Sequence, residues 1–271
     1  MGKKVFYITA PGKSINDIKD DEWEFLKDKN TIAFSHFPLS GKKTKYHFSF
    51  EEYESDVRNL NLIKRNGYTN TILLLGLPKT INYARSIGFR KIIPIIKGMG
   101  MSFRGYPWTI DQEVPICKFN ECRAFNFYQP LFRYRGSLSA VINSALVLGA
   151  KEIRLVGVDL NSQYYFFDGE ERNKWIRDDY EIRAMEETLN RQKYLIEKRK
   201  KAKSTINDYN PNIINDTNMP YYKDGKILRN ISDVIVWMDK EIREEGMYGI
   251  YTTSKKSDLY NRLEYKSIMD D

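Results

Sequence analysis

Residues 134–159, Tyr-Arg-Gly-Ser-Leu-Ser-Ala-Val-Ile-Asn-Ser-Ala-Leu-Val-Leu-Gly-Ala-Lys-Glu-Ile-Arg-Leu-Val-Gly-Val-Asp, restrict the fold more than any other stretch of the chain. The polar Gly136-Ser137 turn opens an apolar helix, Gly149 stops it, and a strand from Glu152 to Val158 carries Asp159 to its carboxyl end. This is one helix-to-strand unit of a parallel α/β sheet. Such sheets bind ligands at the carboxyl ends of strands and against helix amino ends, which directs attention to Gly136, Ser137 and Asp159. Taken singly, each of the three reads better as an ordinary cap, and it is their convergence that points to a ligand.

A second unit stands at the start. Lys4 to Thr9 reads as a buried strand, and Ala10-Pro11-Gly12-Lys13-Ser14-Ile15 as a small-residue turn. There Gly12 permits close approach of an anion, Ser14 offers a hydroxyl and Lys13 a charge, although the pattern is neither a dinucleotide fingerprint nor a P-loop. Further strands are expected at Thr31–His36, Lys45–Ser49, Thr71–Leu75, Lys91–Ile96 and Tyr248–Thr252. Helices are expected at Asp20–Lys27, Phe50–Arg65, Lys79–Ile87, Glu181–Lys203 and Ile231–Glu244, with one more from Asp258. Residues 101–133 read as irregular. Strand and helix alternate throughout, which predicts an α/β, Rossmann-like, mostly parallel sheet with helices on both faces. All 271 residues form one nucleotide-binding domain, and residues 160–229 an inserted lid of helix and loop, its Asn-rich stretch Thr205–Asn218 mobile.

Composition narrows the class. Hydrophobic residues make up 41% of the chain and aromatics 14%, enough for a packed core. Without an eighteen-residue apolar run or a cleavable leader, the expectation is a cytoplasmic protein. Cys117 and Cys122 lie five apart with no histidine nearby, a spacing that fits neither zinc nor a disulfide framework. The formal charge of +8 suits an anionic ligand, nucleic acid or peripheral contact with an acidic membrane surface.

With these residues in view, the chain resembles the small bacterial sialyltransferases and the related transferases of 3-deoxy-manno-octulosonate. The resemblance rests on Gly12-Lys13-Ser14-Ile15, on the Gly136-Ser137 helix leading into Leu155-Val156-Gly157-Val158-Asp159, and on Tyr165-Phe166-Phe167-Asp168. It covers roughly residues 3–170 and 247–262. It implies a metal-independent glycosyltransferase of surface polysaccharide biosynthesis, one that moves an acid sugar from a CMP donor to a glycan acceptor and uses no separate cofactor. On that resemblance Gly12, Lys13, Ser14, Gly136, Ser137 and Asp159 surround the nucleotide. His36 and His47 stand near positions where the family has asparagines that touch it, and Tyr165 hydrogen-bonds the departing phosphate. Tyr165 also has a plain hydrophobic reading, packed with Phe166 and Phe167.

The chain departs from the pattern in three places. Pro11 replaces an asparagine, Lys13 replaces a proline, and no histidine follows His47, where the family finds its catalytic one. The general base is therefore open among Asp168, Glu170, Glu171, Asp178 and His36. No Asp-x-Asp motif ends a strand, and Asp20-Asp21 and Asp178-Asp179 fall in expected helices, so no metal site is expected. Two other readings compete: a nucleic-acid-binding protein, suggested by the Lys198–Lys201 run and 19 tyrosines, and a nucleotide-dependent enzyme of another reaction type on the same sheet.

Overall fold

The computed structural model describes residues 4–49, 53–68, 70–77, 102–107, 118–134, 136–162, 164–203, 221–223, 226–228 and 230–270. The elements run β1 (Val5–Thr9), α1 (Asp20–Leu26), β2 (Asn30–Phe34), β3 (Tyr46–Ser49), α2 (Tyr53–Arg65), β4 (Ile72–Leu77) and β5 (Phe103–Pro107). They continue with α3 (Phe119–Cys122), α4 (Ser137–Val147), β6 (Glu152–Val156), α5 (Asp179–Lys203), a hairpin of β7 (Tyr221–Lys223) and β8 (Lys226–Leu228), α6 (Ile231–Glu244) and β9 (Gly249–Thr252). Seven strands form one sheet in the order β5-β4-β3-β2-β1-β6-β9, and every neighbouring pair is parallel. From β1 the chain winds outward through β2 to β5, then returns to the other side of β1 as β6. The order therefore reverses between β1 and β6, the position at which such sheets form a crevice at their carboxyl ends.

Alternation along the strands separates two cores. Phe6, Ile8, Ile32, Phe48, Ile153 and Leu155 face α4 and α6, meeting Val141, Ile142, Val234 and Met238. On the other face Tyr7, Ala33 and Val156 meet Trp23, Phe37, Leu62, Phe166, Phe167, Trp175 and Met185. Helix α4 is buried along nearly its whole length, so its polar residues bond internally: Asn143 accepts from the amides of Ala124 (2.9 Å) and Phe132 (2.7 Å).

Two expected features differ. A strand, β5, lies inside the stretch read as irregular; Gly105 and Pro107 erase the alternation that would have announced it. In place of a helix from Asp258 the chain makes turns, because its backbone is drawn to the edge strand. The Thr252 amide donates to Glu264 O and Lys266 N to Thr252 O, which covers the open side of β9. Buried Arg154 fastens the same tail, donating to the carbonyls of Ser267 (2.9 Å) and Ile268 (3.0 Å). The expected helix at Lys79–Ile87, the strand at Lys91–Ile96 and the loop Thr205–Asn218 lie outside the described residues.

The segment read as a lid begins inside the core. Phe166, Phe167, Trp175 and Met185 are buried, each worth about 1.5–3 kcal/mol in the folded state. Polar contacts add direction: Trp175 Nε1 donates to Asn16 Oδ1 (2.7 Å), Asn16 Nδ2 to Phe166 O (2.8 Å), and Arg65 pairs with Asp178. Through Met185 this part is fixed structure. Among the described residues no helix is long and apolar enough to cross a membrane.

Candidate active site

The crevice between β1 and β6 is closed at its base by backbone. Ala10 N donates to Val156 O and Gly12 N to Gly157 O, both at 2.9 Å, so the two loops continue the pairing past the strand ends. A Cβ on Gly12 would lie 2.4 Å from Gly157 O and 2.7 Å from Asp159 Oδ2, so only glycine fits. Asp159 then takes both donors of Ser14, the amide at 2.9 Å and the hydroxyl at 2.5 Å, with both residues buried. Ser14 and Asp159, expected beside the nucleotide, thus meet each other. Burial strips the carboxylate of water, the nearest donors replace it, and those donors are then spent. Lys13, in the same turn, is exposed.

Beside this turn lies a corner whose polar groups are less completely used. Strand β2 is followed by Ser35, at φ 55°, whose carbonyl accepts from Asn59 Nδ2 (2.9 Å) of α2. The kink sets His36 at the carboxyl end of β2, only 7% exposed. Arg58, one turn into α2, brings Nη2 to 3.2 Å from His36 Nδ1, while its Nη1 lies 3.7 Å from Glu187 of α5. Tyr165 completes the corner: its ring meets His36 edge-on (centroids 5.3 Å apart) and stacks on Phe167 (5.1 Å). Its backbone is held by a bridge to Gly12 and by Phe166 N donating to Pro11 O (3.0 Å). The packed reading of Tyr165 is met by its stacking on Phe167, and the ring is half-buried.

Burial, then the charges of Arg58 and Arg191, push the His36 pKa down to about 3. The ring is neutral at pH 7, a weaker proton acceptor than an ordinary imidazole. Asp178 is weakened as an acceptor too: the Glu181 amide and Arg65 hold its carboxyl below the usual range. Glu171 pairs with Lys174 in the turn after Gly169, and neighbouring Glu170 is exposed. Asp168 differs. Burial raises its pKa against the opposing pull of the Tyr165 amide (2.7 Å), Lys13 and Lys193, which makes it the carboxylate of the corner best suited to take a proton.

His47 is corrected outright. It lies within β3, 1% exposed, against a cavity of about 10 Å³ lined by Phe37, Thr44, Ile63, Asn66, Tyr68 and Thr71 among others. Thr44 and Thr71, which precede β3 and β4, and Phe37, which follows β2, share that lining. Neither ring nitrogen has a hydrogen-bond partner among the described residues, and burial lowers its pKa to about 4. Gly136, at φ 122°, and Ser137, 8% exposed, begin α4. That helix runs back toward the start of β6, so its amino end lies on the crevice side.

Sequence reasoning missed Arg58, Arg191 and Asn143. A lone arginine in an amphipathic helix carries no signal of its own, whereas a buried asparagine in the otherwise apolar α4 did offer one.

The fold has a counterpart among solved structures. A variant of the sialyltransferase CstII in complex with CMP superposes with a TM-score of 0.51, covering 99% of this chain and 89% of that one at 16% identity. The chain has the fold of that enzyme. A second CstII structure, from Campylobacter jejuni in complex with the substrate analogue CMP-3FNeuAc, covers 100% of this chain and 89% of that one, at 15% identity and a TM-score of 0.45. No protein-family model matches the sequence, and no curated protein matches it. The likeness to the CMP-bound structure is therefore one of fold.

Proposed function

We propose that the chain is a glycosyltransferase that transfers an acid sugar from a CMP donor to a glycan hydroxyl, without a metal ion. The observation that carries this reading is the placement of Tyr165. It stands at the topological switch of a fold shared with a CMP-bound sialyltransferase, tied by backbone to the β1 turn and by its ring to His36. Negative charge grows on the leaving phosphate as the glycosidic bond breaks, and a phenol at that edge is a suitable hydrogen-bond donor. A CMP donor carries one phosphate, so the Lys13 ammonium, the α4 amino end at Gly136-Ser137 and Tyr165 supply the stabilisation that a diphosphate donor obtains from a cation. Asp168 is the proposed base for the acceptor hydroxyl, and the Gly12-Ser14-Asp159 turn supports the site from beneath.

The test is a thermal-shift comparison of CMP, UDP, GDP, ATP and a short oligonucleotide, followed by an assay of CMP release from a CMP-acid sugar. Selective stabilisation by CMP and release of CMP are expected. Equal shifts with all nucleotides, or a shift with the oligonucleotide alone, would replace this reading by one of its competitors.

A further inference from the structure

We propose that Arg58 is a positioning residue that holds His36 in the tautomer with its proton on Nε2, so that the imidazole offers the crevice a neutral hydrogen-bond donor. The inference deepens the CMP-donor reading and rests on it only for the identity of the ligand.

A guanidinium has five N–H donors and no acceptor. With Arg58 Nη2 at 3.2 Å from His36 Nδ1, the ring nitrogen must present its lone pair, and a neutral imidazole then carries its one proton on Nε2. Protonating Nδ1 would set N–H against N–H and a second positive charge beside the first. Among the described residues Arg58 from α2 and Tyr165 from the segment after β6 touch the ring, and the charges that act on it are those of Arg58, Arg191 from α5 and His47 from β3. No carboxylate is among them. Glu187 balances Arg58 from the far side, at 3.7 Å, and leaves the histidine side uncompensated. Nε2 makes no hydrogen bond among the described residues, so its proton is available to a ligand oxygen.

The chain has two histidines, so a nitrogen-15 NMR spectrum of the histidine-labelled full chain contains two imidazoles, which the His47→Phe variant assigns. The expected spectrum gives His36 a protonated Nε2 and a bare Nδ1, unchanged from pH 8 to pH 5. In Arg58→Met the ring should lose that single pattern and titrate at least one pH unit closer to the ordinary histidine value. Arg58→Lys, which keeps a donor, should retain the pattern. A proton on Nδ1 in the wild-type chain, or a ring that titrates between pH 5 and 8, overturns the proposal even if Arg58→Met does not fold. An unaltered ring in a folded Arg58→Met overturns the role of Arg58. Adding CMP to the same sample separates the two readings: the expected tautomer with no CMP-induced shift at His36 Nε2 leaves Arg58 its role and brings down the CMP reading. A CMP shift on a ring with the wrong tautomer does the reverse.

Discussion

Two corners of one crevice treat their polar groups in opposite ways. In the β1 turn Gly12 N, Ser14 N and Ser14 Oγ have partners inside the protein, and Asp159 meets both Ser14 donors. On α2, Arg58 has a neutral histidine and a carboxylate at 3.7 Å as its hydrogen-bond and ion-pair contacts, and its Nε, buried, has no partner among the described residues. Satisfied buried groups specify shape; under-satisfied ones hold free energy that a ligand can recover. The first corner is scaffold, and the second is where chemistry is to be sought.

That contrast breaks most directly at Gly12. Gly12→Val drives a side chain into Gly157 O and Asp159, and is expected to cost about 3 kcal/mol or more in urea denaturation. A folded variant that lost only nucleotide affinity would move the turn from scaffold to site. Asp159→Ala leaves the two donors of Ser14 buried and unpaired, an expected loss of about 2 kcal/mol, and a change below about 0.5 kcal/mol would contradict the pairing.

Acid tests the under-satisfied side. His36 and His47 have folded pKa values near 3 and 4, against 6.5 for the ordinary ring. Between those limits the unfolded chain binds the extra protons, so this contribution is complete above about pH 6.5 and is lost as pH falls. The slope is about 1.4 kcal/mol per pH unit for each ring where only the unfolded form is protonated. His47→Phe should remove one ring's share of the slope between pH 6 and pH 4.5, and an unchanged slope would show that His47 is not neutral in the folded chain.

Tyr165→Phe sharpens the comparison from the catalytic side. It should lower the rate at saturating donor about ten-fold, roughly 1.4 kcal/mol of transition-state stabilisation, with little change in stability. An unchanged rate, with chemistry rate-limiting, would assign the ring to packing on Phe167. The smallest expected effect is none: excess EDTA should leave turnover intact, and recovery of lost activity by manganese or magnesium would refute the metal-free scheme.

Local signals made much of the fold legible. The apolar helix of residues 137–147, the strand that follows and the strand-helix alternation require a parallel sheet, because a strand buried on both faces and a helix between parallel neighbours have few other solutions. Strand β5 was hidden by Gly105 and Pro107, and the C-terminal turns were decided by pairing with β9. At the site, Gly12, Ser14, Tyr165 and Asp159 were readable as residues that matter, but which way each one points was not.

The amino-acid sequence by itself determined the α/β class, the two strand-end turns and the segment that carries Tyr165, because those follow from periodicity and from the few residues that can make tight turns. Tertiary structure alone decided that Asp159 turns inward to Ser14, that Arg154 reaches the carbonyls of Ser267 and Ile268, and that Arg58 meets His36 across 22 positions of sequence. The physical reason is common to all three. A buried polar side chain is oriented by the partner that replaces its lost water, and that partner is chosen by packing in space, where sequence distance has no weight.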